Sequence, residues 1–327
     1  MTDRSEYYDD VPDVSFANGG SFLKAPRADP ADLGAETDIA VFGAPYDGAV
    51  SRRPGTRYGP EALRAASNWY DHFAGVPDGA YNADTDRHVA HEEFTIRDCG
   101  DAPIVPNDVD RTRTQVEGFA RAVAESAFPV MLGGDHYLTY PAFCGFAESV
   151  GGDVGLIHLD AHSDTIASSE LYGDHWHGSP MARIDESRYG GYGNHAMVGI
   201  RGYERDGFPE LVDSEGISVA YARDVRRDGI EACVENAIEH ATDGVEAVYL
   251  TVDIDAADPS FAPGTGTPEP GGLTSAQLLT AMDVLGTCEK IGAMDLMEVA
   301  PQLDDDSDTT AMLGASAVVR FLERRFL

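Results

Sequence analysis

The chain has 327 residues, of which 57 are acidic and 23 are basic, and its formal net charge is −34. A chain this acidic lacks the basic patch that nucleic acids or anionic membranes require, so neither is an expected partner. No apolar run approaches 18 residues and the N-terminus is polar, so neither a membrane span nor a signal peptide is predicted. The length suits one large α/β domain with a sizeable core.

The acidic residues are interspersed with periodic apolar segments, which places them on a folded surface rather than in acidic tails. Lys24 and Lys290 are the only lysines. A surface that repels itself is tolerated in concentrated salt, where the Debye length falls to about 3 Å at 1 M. We therefore predict a salt-adapted, halophilic protein of the cytoplasm. Its four cysteines show no C-x-x-C spacing, which is typical of a reducing compartment.

Residues 1–36 are acidic and rich in Pro and Gly, and we predict an N-terminal arm with little regular structure. Apolar residues in its segment 21–26 would anchor the arm to the domain or to a neighbouring subunit. Residues 37–327 are predicted to form a single domain. Eight strands are expected within 38–42, 94–98, 129–136, 154–164, 197–200, 217–220, 247–255 and 290–299. Helices are expected near 60–67, 109–127, 140–150, 225–240, 274–285 and 309–325.

Strands and helices alternate along the whole domain without a linker or an internal repeat. This alternation predicts a three-layer α/β/α domain around a mostly parallel, doubly wound sheet of about eight strands. In such a sheet the carboxyl ends of the strands form the ligand-binding edge.

Three predicted strands end in side chains that bind metals. Residues spaced by two along a strand point the same way, so the donors at each strand end converge. One such residue alone would be a helix cap or a solvated loop carboxylate, but six at three strand ends indicate a site. The six are His136, Asp160, His162, Asp164, Asp253 and Asp255.

Four buried carboxylates would repel one another unless cations lay between them. An oxygen-rich set with a minority of imidazoles suits Mn²⁺ better than Zn²⁺, although Ni²⁺ is not excluded. Six protein ligands are too many for one ion that must also bind water, so we infer two Mn²⁺ per subunit. Two dications about 3.5 Å apart lower the pKa of a water between them, which supplies the nucleophile of a hydrolase. No G-x-S-x-G motif offers a serine nucleophile instead.

Three further residues near these strand ends are candidates for the chemistry. His177, in the loop after 154–164, is either a proton shuttle or a satisfied loop histidine, and His175 is more typical of the surface. Glu298, near the end of the last strand, could clamp a planar cation through paired hydrogen bonds. A lone Glu in a strand is otherwise an edge or surface residue.

Five motifs in order resemble those of the ureohydrolases, the arginase and agmatinase family. They are G-G-D-H (133–136), D-A-H-S-D (160–164), H-G (177–178), D-I-D-A-A-D-P (253–259) and M-E-V (297–299). The resemblance covers about residues 39–325. It implies an arginase-like fold, a manganese-dependent binuclear site, and hydrolysis of a guanidino group to an amine and urea.

The resemblance also implies a role for each motif residue. One ion would be bound by His136, Asp160, Asp164 and Asp253, and the other by Asp160, His162, Asp253 and Asp255. Asp164 would also orient the hydroxide, His177 would pass a proton to the leaving amine, and Glu298 would bind the guanidinium.

Within the family, Thr165 and Ile166 replace the Asn-containing pattern of arginase, which argues against arginine as the substrate. The segments R-P-G-T-R-Y-G-P and G-T-G-T-P-E-P-G-G are similar to the agmatinase and guanidinobutyrase branch. We therefore predict a small cationic guanidino substrate, with agmatine converted to putrescine and urea in polyamine biosynthesis. In the loop 172–176, Trp176 could shorten the pocket, or Asp174 could pair with an amine tail.

Several alternatives stay open. They are a guanidinobutyrase-like, guanidinopropionase-like or free-guanidine hydrolase, a formiminoglutamase that releases formamide, and a non-catalytic scaffold. Intact metal motifs, His177 and Glu298 argue against the scaffold. Relatives of this type are homotrimers or homohexamers, and the same is expected of this chain.

Overall fold

Eight parallel strands form the central sheet of this computed structural model, which describes residues 20–75 and 78–327. A separate two-stranded antiparallel hairpin is formed by β2 and β3. In chain order the strands are β1 (Ile39–Gly43), β2 (Ala80–Asn82), β3 (Arg87–Val89), β4 (Ile96–Asp101), β5 (Phe128–Leu132), β6 (Val154–Leu159), β7 (His195–Val198), β8 (Ser218–Ala220), β9 (Ala247–Asp253) and β10 (Ile291–Met297). The order across the sheet is β4-β1-β5-β10-β9-β6-β7-β8.

Helices surround the sheet and connect its strands. They are α1 (Gly59–Ala74), α2 (Val109–Ala124), α3 (Thr139–Val150), α4 (Pro180–Asp185), α5 (Phe208–Glu215), α6 (Ala222–Asp228), α7 (Ile230–Ala241), α8 (Ser275–Gly286) and α9 (Thr309–Phe326). Within the described ranges, none of these helices combines the length and the apolar character that a membrane crossing requires.

The central strands are buried on both faces, as parallel strands covered by helices must be. Every residue of β1, β6 and β9 is buried. In the register, Leu250 of β9 lies beside Met294 of β10 and Ile157 of β6. Two apolar clusters fill the spaces on either side of the sheet. The predicted three-layer α/β/α domain with eight mostly parallel strands is confirmed.

Some local predictions were wrong. The single helix expected over 225–240 is two helices, α6 and α7, because Gly229 between them has φ +89° and interrupts the helical backbone. The hairpin β2–β3 and the short helices α4 and α5 were not expected, since elements this short carry little periodicity. The last strand ends at Met297 rather than at 299 because Glu298 has φ +63° and leaves the extended conformation.

The segment 21–26 packs on the same chain. Phe22 and Leu23 are buried, and their backbone N–H groups donate to Asp98 Oδ2 and Ser67 Oγ, both at 2.8 Å. Asp98 is fully buried and also accepts from Arg64 Nε at 2.9 Å. The positive charge of Arg64 compensates that of Asp98, which can therefore hold the segment from within the core. Residues 27–36 of the predicted arm contain one 3₁₀ turn, Pro30–Asp32, and little other regular structure. Residues 1–19 lie outside the described residues.

Candidate metal centre

The predicted site residues follow four neighbouring strands, β5, β10, β9 and β6. His136 lies in the turn after β5, Glu298 directly follows β10, Asp253 ends β9, and Asp160 directly follows β6. Because all four strands are parallel, their carboxyl ends meet at one edge of the sheet. This is the edge at which open α/β sheets bind their ligands.

His136 follows the Gly133–Gly134 turn, and the close contacts of this turn with neighbouring atoms fix the position of His136. A Cβ at Gly134 would collide with the Tyr46 carbonyl oxygen, and one at Gly133 would collide with the Met297 side chain. Gly134 O in turn accepts the Glu298 N–H at 3.0 Å. The two motifs on β5 and β10 are therefore locked together by contacts that only glycine permits.

Two acidic residues of the site have a left-handed backbone conformation. Asp164 has φ +51° and Glu298 has φ +63°, a region that costs a non-glycine residue on the order of 1–3 kcal/mol. Such strain persists only where the surrounding structure holds the residue in place, and it concentrates at functional sites. Here it turns both side chains toward the strand ends.

His136 Nδ1 faces three carboxylates. It lies 3.0 Å from Asp160 Oδ2, 3.0 Å from Asp164 Oδ2 and 3.3 Å from Asp253 Oδ2. This nitrogen is buried and has no hydrogen-bond partner of acceptable geometry among the described residues. The ring is fixed from its other side by a 2.9 Å hydrogen bond between Nε2 and Thr251 Oγ1. A buried lone pair facing three carboxylate oxygens is the arrangement that a cation requires.

A second cluster shares Asp160 with the first. His162 Nδ1 lies 3.5 Å from Asp160 Oδ1 and 3.2 Å from Asp255 Oδ2. Asp253 Oδ1 accepts the Asp255 N–H at 2.8 Å, which couples the two carboxylates of the β9 motif. Asp160 and Asp255 are completely buried, whereas His162 is partly open to the cavity described below.

The electrostatics of the cluster are unbalanced without cations. Burial and then the charges of Asp255 and Asp160 raise the pKa of Asp253 well above its usual value. Burial alone would lower the pKa of His136. The neighbouring carboxylates have the larger effect and raise the pKa of that ring well above its usual value. A bound cation would supply the missing positive charge. Two overlapping groups of donors are placed to hold a metal ion: His136, His158, Asp160 and Asp164, and Asp160, His162 and Asp255.

His158 is a member of the cluster that sequence reasoning missed. It lies within β6, is completely buried, and its Nε2 is 2.7 Å from Asp160 Oδ2. Burial alone would raise the pKa of Asp160. The charge of His158, together with hydrogen bonds from the neighbouring histidines, outweighs burial and lowers that pKa well below its usual value. A histidine in the middle of an apolar strand was the available signal, because a buried imidazole needs a partner.

Glu298 and His177 form a pair beside the cluster. Glu298 Oε1 accepts the His136 backbone N–H at 2.9 Å and lies 3.1 Å from His177 Nδ1. Glu298 Oε2 is buried and has no partner among the described residues. A carboxylate oxygen in this condition is available to a ligand that donates hydrogen bonds.

The protonation of His177 is set by two opposing neighbours. Burial disfavours its charge, but the Glu298 carboxylate outweighs burial and raises the pKa of His177 to about 9. In the neutral ring, Nδ1–H donates to Glu298 and Nε2 accepts Ser51 N–H at 3.0 Å. In the protonated ring, Nε2–H can donate to Ser51 Oγ at 2.6 Å. The two states differ by one proton at Nε2, while Nδ1 stays on Glu298.

A cavity of about 220 Å³ opens onto His177 and part of the carboxylate cluster, whereas Glu298 lies behind its lining. Its lining residues include three of the predicted ligands with side chains from four loops: Ser51, His162, Ser163, Asp164, Ile166, Trp176, His177, Gly178, Tyr203, Glu204, Arg205, Asp253 and Thr267. Trp176 lies in the wall, whereas Asp174 and His175 do not line it. His175 instead contacts the Tyr137 hydroxyl at 3.0 Å. Tyr203 to Arg205 were not singled out from the sequence because they belong to no motif.

Comparisons with known proteins find relatives that match most of the chain. The model of the Arginase family matches residues 37–323. The chain is 33% identical to the guanidinopropionase of Pseudomonas aeruginosa, over 94% of this chain and 92% of that protein. It is 35% identical to the mitochondrial agmatinase of Gallus gallus, over 87% of this chain and 80% of that protein.

A further relative is known both by sequence and by structure. The proclavaminate amidinohydrolase of Streptomyces clavuligerus is 34% identical over 94% of each chain. Its solved structure superposes with a TM-score of 0.81 and 31% identity, covering 96% of this chain and 99% of that chain. The likeness spans the whole sheet and its loops. The chain therefore belongs to the arginase family.

Proposed function

We propose that this protein is a manganese-dependent amidinohydrolase that cleaves a guanidino group to an amine and urea. The observation that carries the proposal is the buried His136 Nδ1, which faces the carboxylates of Asp160, Asp164 and Asp253 at 3.0–3.3 Å. Family membership supports the reaction class, and the oxygen-rich donor set supports manganese over zinc. Nickel is the alternative metal to be tested.

Each of the two proposed ions would have one histidine ligand, His136 or His162. His136, Asp160, Asp164 and Asp253 would hold one ion, and His162, Asp160, Asp253 and Asp255 the other. When bound, the ions would activate a water molecule for attack on the guanidino carbon. The Asp164 side chain lines the cavity, where it can orient that water.

Glu298 would bind the guanidinium. Its Oε2 is buried without a partner among the described residues, and a planar guanidinium offers the N–H donors that it lacks. Because Oε1 is already engaged by His136 N–H and His177, the carboxylate has one fixed orientation.

His177 would move the proton that the reaction needs. Water adds to the guanidino carbon, the C–N bond to the alkyl group's nitrogen breaks, and that nitrogen leaves as an amine after it gains a proton. His177 Nε2 lies in the cavity wall with Ser51 and can donate this proton, while Nδ1 stays on Glu298.

The sequence favours agmatine as substrate within this class, with putrescine and urea as products. Guanidino acids, free guanidine and formiminoglutamate are the rival substrates, and relatives named agmatinase and guanidinopropionase are similarly identical to this chain. We further propose that the protein acts in the cytoplasm as a homotrimer or homohexamer.

The test is product release by protein loaded with Mn²⁺ or Ni²⁺ in molar salt. Agmatine, 4-guanidinobutyrate, 3-guanidinopropionate, guanidine and arginine are assayed for urea, and formiminoglutamate is assayed for formamide. Metal-dependent urea release from at least one guanidino compound would support the proposal. Formamide release alone, or no product from any compound, would overturn it.

A further inference from the structure

The outer part of the cavity carries one charged group that is free to bind a substrate's tail. Apart from the metal donors and His177, its charged lining residues are Glu204 and Arg205. Glu204 keeps its charge but is held in place by neutral donors, since Oε1 accepts Ser163 N–H at 2.8 Å and Oε2 accepts Ser163 Oγ–H at 2.7 Å. Arg205 is exposed and, within the described part of the chain, its side chain has no ion pair or hydrogen bond.

A second cavity continues from the first. It has a volume of about 570 Å³ and shares Glu204 and Arg205 with the active-site cavity. Four arginines line it, Arg201, Arg205, Arg223 and Arg226, against two acids, Glu204 and Asp206. The chain as a whole has 57 acidic and only 23 basic residues, so an excess of basic residues in one cavity is the opposite of its average composition.

Within the described residues, the arginines of this basic cavity form no ion pair at contact distance. Arg201 donates to the backbone carbonyls of Asp255 and Glu269, at 2.6 and 2.7 Å, and Arg226 donates to that of Gly271 at 2.7 Å. Arg223 lies over the Tyr221 ring, 4.1 Å from its centroid. These contacts orient the guanidinium groups, and nearby carboxylates such as Asp255 act on Arg201 only through space.

The motifs favour agmatine, but the cavity wall points to a different tail: we infer that the substrate is a guanidino acid, whose carboxylate tail Arg205 binds where the two cavities adjoin. The inference rests on the proposed function, which supplies the guanidinium end at Glu298. Arg205 is exposed and offers paired donors that match a carboxylate, whereas the Glu204 carboxylate that an ammonium tail would need is partly buried and is held by two Ser163 donors.

Steady-state kinetics on metal-loaded wild type, Arg205→Gln, Arg205→Glu and Arg205→Lys test this inference. The substrates are 4-guanidinobutyrate, agmatine, which has an ammonium tail of similar length, and guanidine, which has no tail. Arg111→Gln is the matched control, because Arg111 is also an exposed arginine but lines neither cavity. Thermal unfolding of each variant verifies that the fold is retained.

We expect wild type to prefer 4-guanidinobutyrate over agmatine. Arg205→Gln should lower kcat/KM for 4-guanidinobutyrate roughly ten- to a hundred-fold, mainly through KM, because a charge-assisted hydrogen bond is lost. Arg205→Glu should invert the preference, so that agmatine becomes the better substrate. Arg205→Lys should retain part of the wild-type preference for 4-guanidinobutyrate. Guanidine turnover in all variants, and all turnover in Arg111→Gln, should change by less than about two-fold.

If Arg205→Gln leaves the ratio of the two substrates within about two-fold of wild type while urea is still released, this inference is wrong and the proposed function stands. Preference of wild type for agmatine would also overturn the inference alone. If no compound, including guanidine, yields urea, both fail together.

Discussion

At the scale of single residues, Glu298 gives the sharpest prediction. Glu298→Gln keeps the shape of the side chain but removes the charge that a guanidinium requires. We expect kcat/KM to fall by about 100-fold, which corresponds to roughly 3 kcal/mol, while metal content stays at the wild-type value. Urea release and elemental analysis are measured on the same preparation. The control is Glu323→Gln, a buried carboxylate that pairs with His91. Loss of metal in Glu298→Gln would refute the assigned role.

His177 predicts the alkaline limit of activity. Its pKa is raised to about 9, so the ring is protonated at neutral pH and loses its proton as pH rises through 9. A group that must donate a proton to the leaving amine is then lost, and kcat/KM should fall above this pH. The pH profile of kcat/KM, which reports the free enzyme, is the measurement. His177→Asn should have a low rate without this alkaline limb, and a variant that keeps the limb would assign it to another group.

At the scale of elements, the turn after β5 is the point where two strands and two site residues meet. Gly134→Ala would place a Cβ against the Tyr46 carbonyl oxygen, next to His136 and to the backbone contact with Glu298. We expect a loss of about 1–3 kcal/mol in unfolding free energy, together with reduced metal affinity. Denaturant unfolding and metal titration measure both effects.

The matched control is Gly118→Ala on helix α2, where an added Cβ meets no atom within 4 Å. This substitution should stabilise the protein by up to about 1 kcal/mol, since Ala is the better helix former. Equal effects of the two substitutions would show that the turn after β5 is not specially constrained.

The elements that sequence reasoning predicted are those with strong patterns. Apolar runs such as 154–159 and 247–253 are buried strands, and the polar residues that end them meet at one edge because parallel strands share a direction. The break at Gly229 escaped prediction because glycine is also tolerated inside helices. Glu204 and Arg205 escaped because cavity walls are built by long-range contacts, which no local spacing encodes.

At the scale of the whole molecule, the charge of −34 sets the solution behaviour. Ion pairs with only 23 basic residues cannot neutralise 57 acidic ones, so the surface repels itself at low ionic strength. Concentrated salt screens this repulsion, and we expect the midpoint of thermal unfolding to rise as KCl increases from about 0.1 M to molar concentrations. Full stability in millimolar salt would contradict the predicted adaptation to salt.

The central claim is that six side chains from three strand ends hold two divalent ions. Elemental analysis of protein loaded with Mn²⁺ and freed of excess metal by gel filtration tests it most directly. We predict two ions per chain in the wild type, and a loss of metal and of urea release in Asp253→Ala, because Asp253 would contact both ions. A wild type that retains no metal, or an Asp253→Ala variant that keeps both ions and full turnover, would contradict the account.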